Sequence, residues 1–378
     1  MNMKRRKRKA VGRVIRWAVL FTLPVIAAYG GRGVKLAADV MCFSDEKAEP
    51  VAVIRESKSA ELTETDLLTG ETVLSHGYGV YAEVSKDEIR LRSPLDMVSD
   101  NPGEKPYPEN WTKGISVVRT TYGKYSGNSF FNLDGGSQVN NKSTLTNDLL
   151  LRESRSAPDF TISDTDEPQV LLYHTHTTES FEPFVRENMD AEFNYRTTDE
   201  TKNMVMVGNA IQAELEAKGI GVIHVTEIHD YPSYNGSYGR SRESIMPILE
   251  EYPEIKVVLD IHRDAVSGDD YAVQPYIEID GKEAAQIMII SGCDDGTLGM
   301  PDYLKNFHFA SALQRQFEED YPGLARPILF DYRHYNQDLT TGSLLIEVGS
   351  HGNTLEQVQY SGQLIGRSLC RLLEEMKE

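Results

Sequence analysis

The chain has 378 residues, 26% of them charged, and a formal net charge of -19. That length allows two or three domains at about 150 residues each, and the acidic balance excludes nucleic acid as the natural ligand. The three cysteines, Cys42, Cys293 and Cys370, are too sparse and too far apart for a disulfide framework or a cysteine metal site.

The charge is unevenly placed. Residues 1–16 form a basic head with eight Lys or Arg and no acid. Trp17–Gly31 (WAVLFTLPVIAAYGG) then runs without a charge. It is shorter than the about 20 residues a bilayer span needs, and snorkelling of Arg16 and Arg32 extends it. The pattern predicts a single-pass membrane anchor over 17–34, with the head in the cytoplasm and the rest of the chain extracytoplasmic. A signal peptide cleaved near Ala27 and Ala28 is the competing expectation, and both export the chain. Residues 35–165 read as a tether of low order. Gly77–Leu91 partly alternates and could pair as a hairpin, while Ser93–Asp164 is rich in Ser, Asn, Asp, Pro and Gly and buries little.

From 166 to 378 the pattern is that of a domain. Apolar runs at Val170–Tyr173, Ile220–Val225, Ile255–Ile261, Ala284–Ile290 and Leu344–Val348 predict strands. Helical periodicity marks 201–218, 240–251, 303–320 and 355–376. Strands alternating with helices predict an α/β fold with a largely parallel central sheet flanked by helices. Ligands bind at the carboxyl ends of such strands.

Three strand ends carry ionisable groups: His174-Thr175-His176-Thr177-Thr178-Glu179, Asp260-Ile261-His262-Arg263-Asp264, and Glu347 within LLIEVGS. His176 and Glu179 are three apart, so in a turn they face one way. With His262 they make a His2Glu set, a ligand set of catalytic zinc with its fourth position open. His174 shares a strand face with His176, so either histidine could be the first ligand, or His174 could support the other from behind. Glu347 would cost several kcal/mol if buried without a partner, which makes it the candidate general base. Arg263 could neutralise a substrate carboxylate or an oxyanion, or pair with Asp260 or Asp264. The bland alternatives are core histidines and a structural ion pair at Glu347.

The segments LLYHTHTTESF (171–181), VVLDIHRDA (257–265) and YNQDLTTGSLLIEVGSHGNTLEQ (335–357), with the basic head and single anchor, resemble the stage II sporulation protein P family of endospore-forming bacteria. The resemblance covers residues 168–378 closely. It implies a zinc-dependent N-acetylmuramoyl-L-alanine amidase of peptidoglycan, with endopeptidase activity, acting during engulfment of the forespore. It implies stage II sporulation protein D and protein M as partners, and a fold similar to that of zinc-dependent cell-wall amidases. Carried onto this chain, it makes His176, Glu179 and His262 the metal ligands and Glu347 the catalytic carboxylate; the doubled histidine keeps His174 in play. Two other functions use the same residues differently: a zinc carboxypeptidase or aminopeptidase on free peptides, and a wall-binding scaffold with a vestigial site.

Overall fold

A computed structural model describes residues 114–377, apart from 164, 166, 191–194 and 269, together with Pro50–Val51. The basic head, the segment 17–34 and the hairpin expected at 77–91 lie outside the described residues. Among the described residues, no helix is long and apolar enough to cross a membrane.

In chain order the elements are β1 (Gly114–Thr120), β2 (Phe130–Asn132), β3 (Gln138–Asn141), α1 (Asn147–Glu153), β4 (Pro168–Tyr173), β5 (Asn188–Asp190), α2 (Met204–Glu216), β6 (Gly221–His224), α3 (Ser237–Glu251), β7 (Val257–Asp264), β8 (Tyr271–Ile279), β9 (Lys282–Ala285), β10 (Ile287–Cys293), α4 (Tyr303–Asp320), β11 (Ile328–Tyr332), β12 (Gly342–Ser350) and α5 (Leu355–Glu375). Eight strands form the central sheet, in the order β2-β3-β11-β10-β12-β7-β4-β6. The β10–β12 and β2–β3 pairings are antiparallel and the others parallel. The central strands β7 and β12 are buried along their whole length. Strands covered on both faces read as continuous apolar runs rather than alternations, which is why VVLDIHRD and GSLLIEVGS stand out in the sequence.

α2, α4 and α5 cover one face. Their Val207, Ile211, Phe307, Leu313, Leu364 and Leu369 pack on Leu172, Leu259, Ile261, Ile289 and Ile346 of the sheet. Each such side chain contributes about 1.5–3 kcal/mol on burial. A capping box between Thr354 and Gln357 starts α5. At Gly362 and Gly366 a Cβ would lie 2.9 Å from the carbonyls of Val207 and Ile211, so α5 and α2 meet backbone to backbone. The other face carries α3, with Ile245 over Leu171, Tyr173 and Val258. Beside it, Tyr238 and Tyr335 pack with Met288, Ile290 and Leu345.

The tether expected over 35–165 is overturned for residues 114–163, which belong to the fold. β3 pairs with β11, and Val139, Leu150 and Ile162 are fully buried in the main core. Composition misleads here because several of the buried polar side chains are hydrogen-bonded. Gln138 Nε2 donates to the Tyr125 carbonyl at 2.9 Å, and Asn141 Nδ2 to that of Leu145 at 2.7 Å. A second sheet, β9-β8-β1-β5, draws β1 from the same stretch. It grips the segment after β12: Gln274 Nε2 donates to the Gly352 carbonyl at 2.6 Å, and Asn353 Nδ2 to that of Pro275 at 2.9 Å.

Candidate active site

The turn after β4 is built on two buried carboxylates. Asp260 accepts the Thr175 amide at 2.8 Å and its hydroxyl at 2.7 Å. Asp230 accepts the Thr178 amide at 3.1 Å and its hydroxyl at 2.8 Å. Between these anchors, His176 is turned toward α3. Its ring stacks on Tyr234 at 4.4 Å between centroids, and its Nε2 shares a 3.0 Å hydrogen bond with the Tyr234 hydroxyl. Burial holds the His176 imidazole well below its ordinary pKa, and the nearby His262 adds to this.

His262 stands on β7, its ring edge-on to His176 with centroids 5.1 Å apart. Its Nε2 lies 2.8 Å from Asp260 Oδ1, off the line of a hydrogen bond. Burial alone would lower the His262 pKa, but the Asp260 charge and contact outweigh it and leave it raised. Glu347 is the register partner of His262 on β12, so both side chains leave the same face. Glu347 is fully buried, and neither carboxylate oxygen has a hydrogen-bond partner among the described residues. Burial pushes its pKa well above the usual carboxylate range.

Glu179 lies beside this pair but is held by arginines. Its Oε1 takes Arg196 Nη2 at 3.2 Å, and its Oε2 accepts the Arg263 amide at 3.0 Å. Arg196 reaches on to Asp230 at 2.8 Å. The acid nearest the Arg263 guanidinium is Glu179, at 3.9 Å, not Asp260 or Asp264, since Asp264 pairs with Arg326 at 2.9 Å. Burial lowers the Arg263 pKa to about 10.

His174 is not part of this cluster. It faces α2, where its Nδ1 meets the Ile261 carbonyl at 2.9 Å and its Nε2 meets His224 Nε2 at 2.8 Å. A Cβ at position 208 of α2 would collide with both rings. The geometry therefore separates the doubled histidine: His176 belongs with His262 and Glu347, and His174 lies across the sheet. His224, which has no ligand spacing in the sequence, is its partner.

A zinc ion suits these donors in kind: two adjoining imidazoles, a carboxylate next to them, and the unpartnered carboxylate of Glu347 in register beside His262. Among the described residues, no three His, Cys, Asp or Glu side chains stand together in a metal-holding arrangement. Glu179 is turned into Arg196, and His176 Nε2 into Tyr234.

Sequence reasoning missed Asp230, Tyr234, Tyr238 and Arg196. The first three lie in the segment HDYPSYNGSY after β6. Its three tyrosines in ten residues were the available signal, since nothing periodic marks a loop. Tyr238 stacks between Tyr335, at 5.0 Å, and His262, at 6.3 Å.

Several solved cell-wall amidases share a faint likeness. An N-acetylmuramoyl-L-alanine amidase, AmiC2, of Nostoc punctiforme is 12% identical, with a TM-score of 0.32, over 55% of this chain and 96% of its own. The CwlD amidase of Clostridioides difficile, in complex with the GerS lipoprotein, is 11% identical, with a TM-score of 0.36, over 55% and 99%. At such identity and overlap the reading of the site rests on this chain's own residues. Stage II sporulation protein P of Bacillus subtilis is 30% identical over 205 residues, which span 51% of this chain and 48% of that relative, so the match covers about half the relative's length. The model of the stage II sporulation protein P family matches residues 103–369, from before β1 into α5, taking in every strand end described above; the chain belongs to that family.

Proposed function

We propose that this protein is a peptidoglycan hydrolase of sporulating cells, an N-acetylmuramoyl-L-alanine amidase that depends on zinc. The observation that carries the reading is Glu347: a fully buried carboxylate without a hydrogen-bond partner, in register beside His262 and on the face of the sheet where His176 stands. Burying such a group costs several kcal/mol, and fold stability gives no return for it.

His176, Glu179 and His262 would hold the metal, with Glu179 leaving Arg196 to do so. When bound, zinc supplies Lewis acidity toward the scissile carbonyl and the attacking water. Glu347 takes the proton from that water on its carboxylate and delivers it to the leaving amide nitrogen. Burial raises its pKa, the direction in which a carboxyl gains acid character beside its role as base. Asp230 and Asp260 fix the turn that carries His176, and Tyr234 and Tyr238 exclude water from one side.

The family resemblance supports a place in engulfment, with stage II sporulation proteins D and M as partners. The basic head and the apolar stretch of 17–34 support a single membrane anchor, with the domain outside, where peptidoglycan lies. The test of the reaction is digestion of peptidoglycan sacculi by the full chain, with products weighed by mass spectrometry. Free stem peptides and peptide-free glycan, abolished by a chelator and restored by zinc, are expected. Cleavage of sugar–sugar bonds, or intact sacculi from zinc-loaded protein, would remove the amidase reading.

A further inference from the structure

Arg263 is not accounted for by the reaction above. Its side chain is 5% exposed, yet no hydrogen bond to its guanidinium exists among the described residues. Its Nε is sealed and unpartnered, and its one ionic neighbour, Glu179, stands 3.9 Å from Nη2, beyond hydrogen-bond reach. A guanidinium has five N–H donors in a planar fork. Leaving the sealed Nε donor unspent is costly, and ordinary packing gives no reason for it. A second unspent donor stands nearby. His351 is half-buried on the segment after β12, its Nδ1 is also unpartnered, and its ring lies 6.0 Å from that of Tyr195.

Both groups are held from behind. The Arg263 amide donates to Glu179 at 3.0 Å, which ties Arg263 to the edge of the hydrolytic cluster. The His351 segment is clamped by the small sheet through Gly352 and Asn353. Gly349, at a φ of +64°, lies at a break in register near the end of β12, just before that segment. A Cβ there would meet Asn353 and Ala285, so only glycine allows the approach.

We propose that Arg263, with His351, forms a subsite for a carboxylate on the peptide side of the scissile amide. The planar fork matches a carboxylate bidentately, and stem peptides carry one a single residue beyond the bond cut. The subsite rests on the amidase reading, and it gives that enzyme a preference for acidic over amidated stems.

The test is binding by calorimetry of muramoyl-L-alanyl-D-glutamate γ-methylamide, which keeps one free carboxylate, and of its α-carboxamide, using the full chain, wild type, Arg263→Gln, Arg263→Lys and His351→Ala. Wild type should bind the acid about ten- to a hundredfold tighter than the amide, the span of one charge-assisted pair. Arg263→Gln should erase that ratio, Arg263→Lys should restore part of it, and His351→Ala should reduce it. Equal binding of acid and amide by wild type, binding of neither, or an unchanged ratio in Arg263→Gln overturns the subsite. Because binding needs no turnover, an acid preference that Arg263→Gln erases supports the subsite even in a protein that cleaves neither compound, and in that case only the proposed reaction falls.

Discussion

At the residue scale, the site is defined by what is paired and what is not. Glu179 and Asp230 are saturated with donors, while Glu347 has none. Asp230→Leu removes the anchor of Thr178 and one of the two carboxylates that Arg196 pairs with. Loss of one partner of a buried pair costs about 3–5 kcal/mol, so the melting temperature should drop sharply, and zinc affinity should drop with it as the His176 turn loosens. A variant that melts and binds zinc as wild type does would show that Asp230 positions nothing. His262→Ala and Glu179→Ala should each lose stoichiometric zinc by metal analysis; full zinc content in either would break the ligand assignment. The His174–His224 pair carries a pH dependence. Burial lowers the His224 pKa to about 4, and the same cause holds His174 well below its ordinary value, against about 6.5 unfolded. The unfolded chain therefore binds the extra proton first, and stability falls as pH drops from about 6.5 through about 4. In melts across that window, His224→Gln should flatten the slope; a variant as acid-labile as wild type would place the effect elsewhere.

At the element scale, the sequence reveals strands and hides turns. β4, β7 and β12 are legible because they are buried on both faces, and an ionisable residue interrupts the apolar run near the end of β7 and β12. His262 and Glu347 are found for that reason. β8 and β11 are missed: Pro275 interrupts the first, and the second ends in half-buried polar positions. The stretch Ala284–Ile290, expected as one strand, is divided between β9 and β10, which belong to different sheets. Asp230, Tyr234 and Arg196 reach the site from loops, and loops carry no period from which a contact can be read. The choice between His174 and His176 is likewise invisible in sequence, since it depends on which face each takes after Tyr173.

At the scale of the whole molecule, the boundary of the folded domain lies well before residue 166. A chain beginning at 166 lacks β1, β3 and α1, and strips Val139, Leu150 and Ile162 from the core. Three side chains of that size contribute about 1.5–3 kcal/mol each, a large share of an ordinary domain's stability of about 5–15 kcal/mol. Such a fragment should be expressed insoluble or melt far below one beginning at 103, by thermal scan. Equal melting of the two would return residues 114–163 to the role of a spacer. The small sheet built partly from this stretch also clamps the His351 segment, so loss of β1 would also loosen the proposed carboxylate subsite.

The central claim is that Glu347 is a proton shuttle beside a metal site rather than a structural carboxylate. The measurement that tests it most directly is zinc content and sacculus hydrolysis, side by side, for wild type and Glu347→Gln. Glutamine keeps the shape and removes the base. The account predicts equal zinc in the two proteins and a loss of turnover of about a hundred- to ten-thousandfold in the variant. Turnover within a few fold of wild type, at equal zinc, would contradict it.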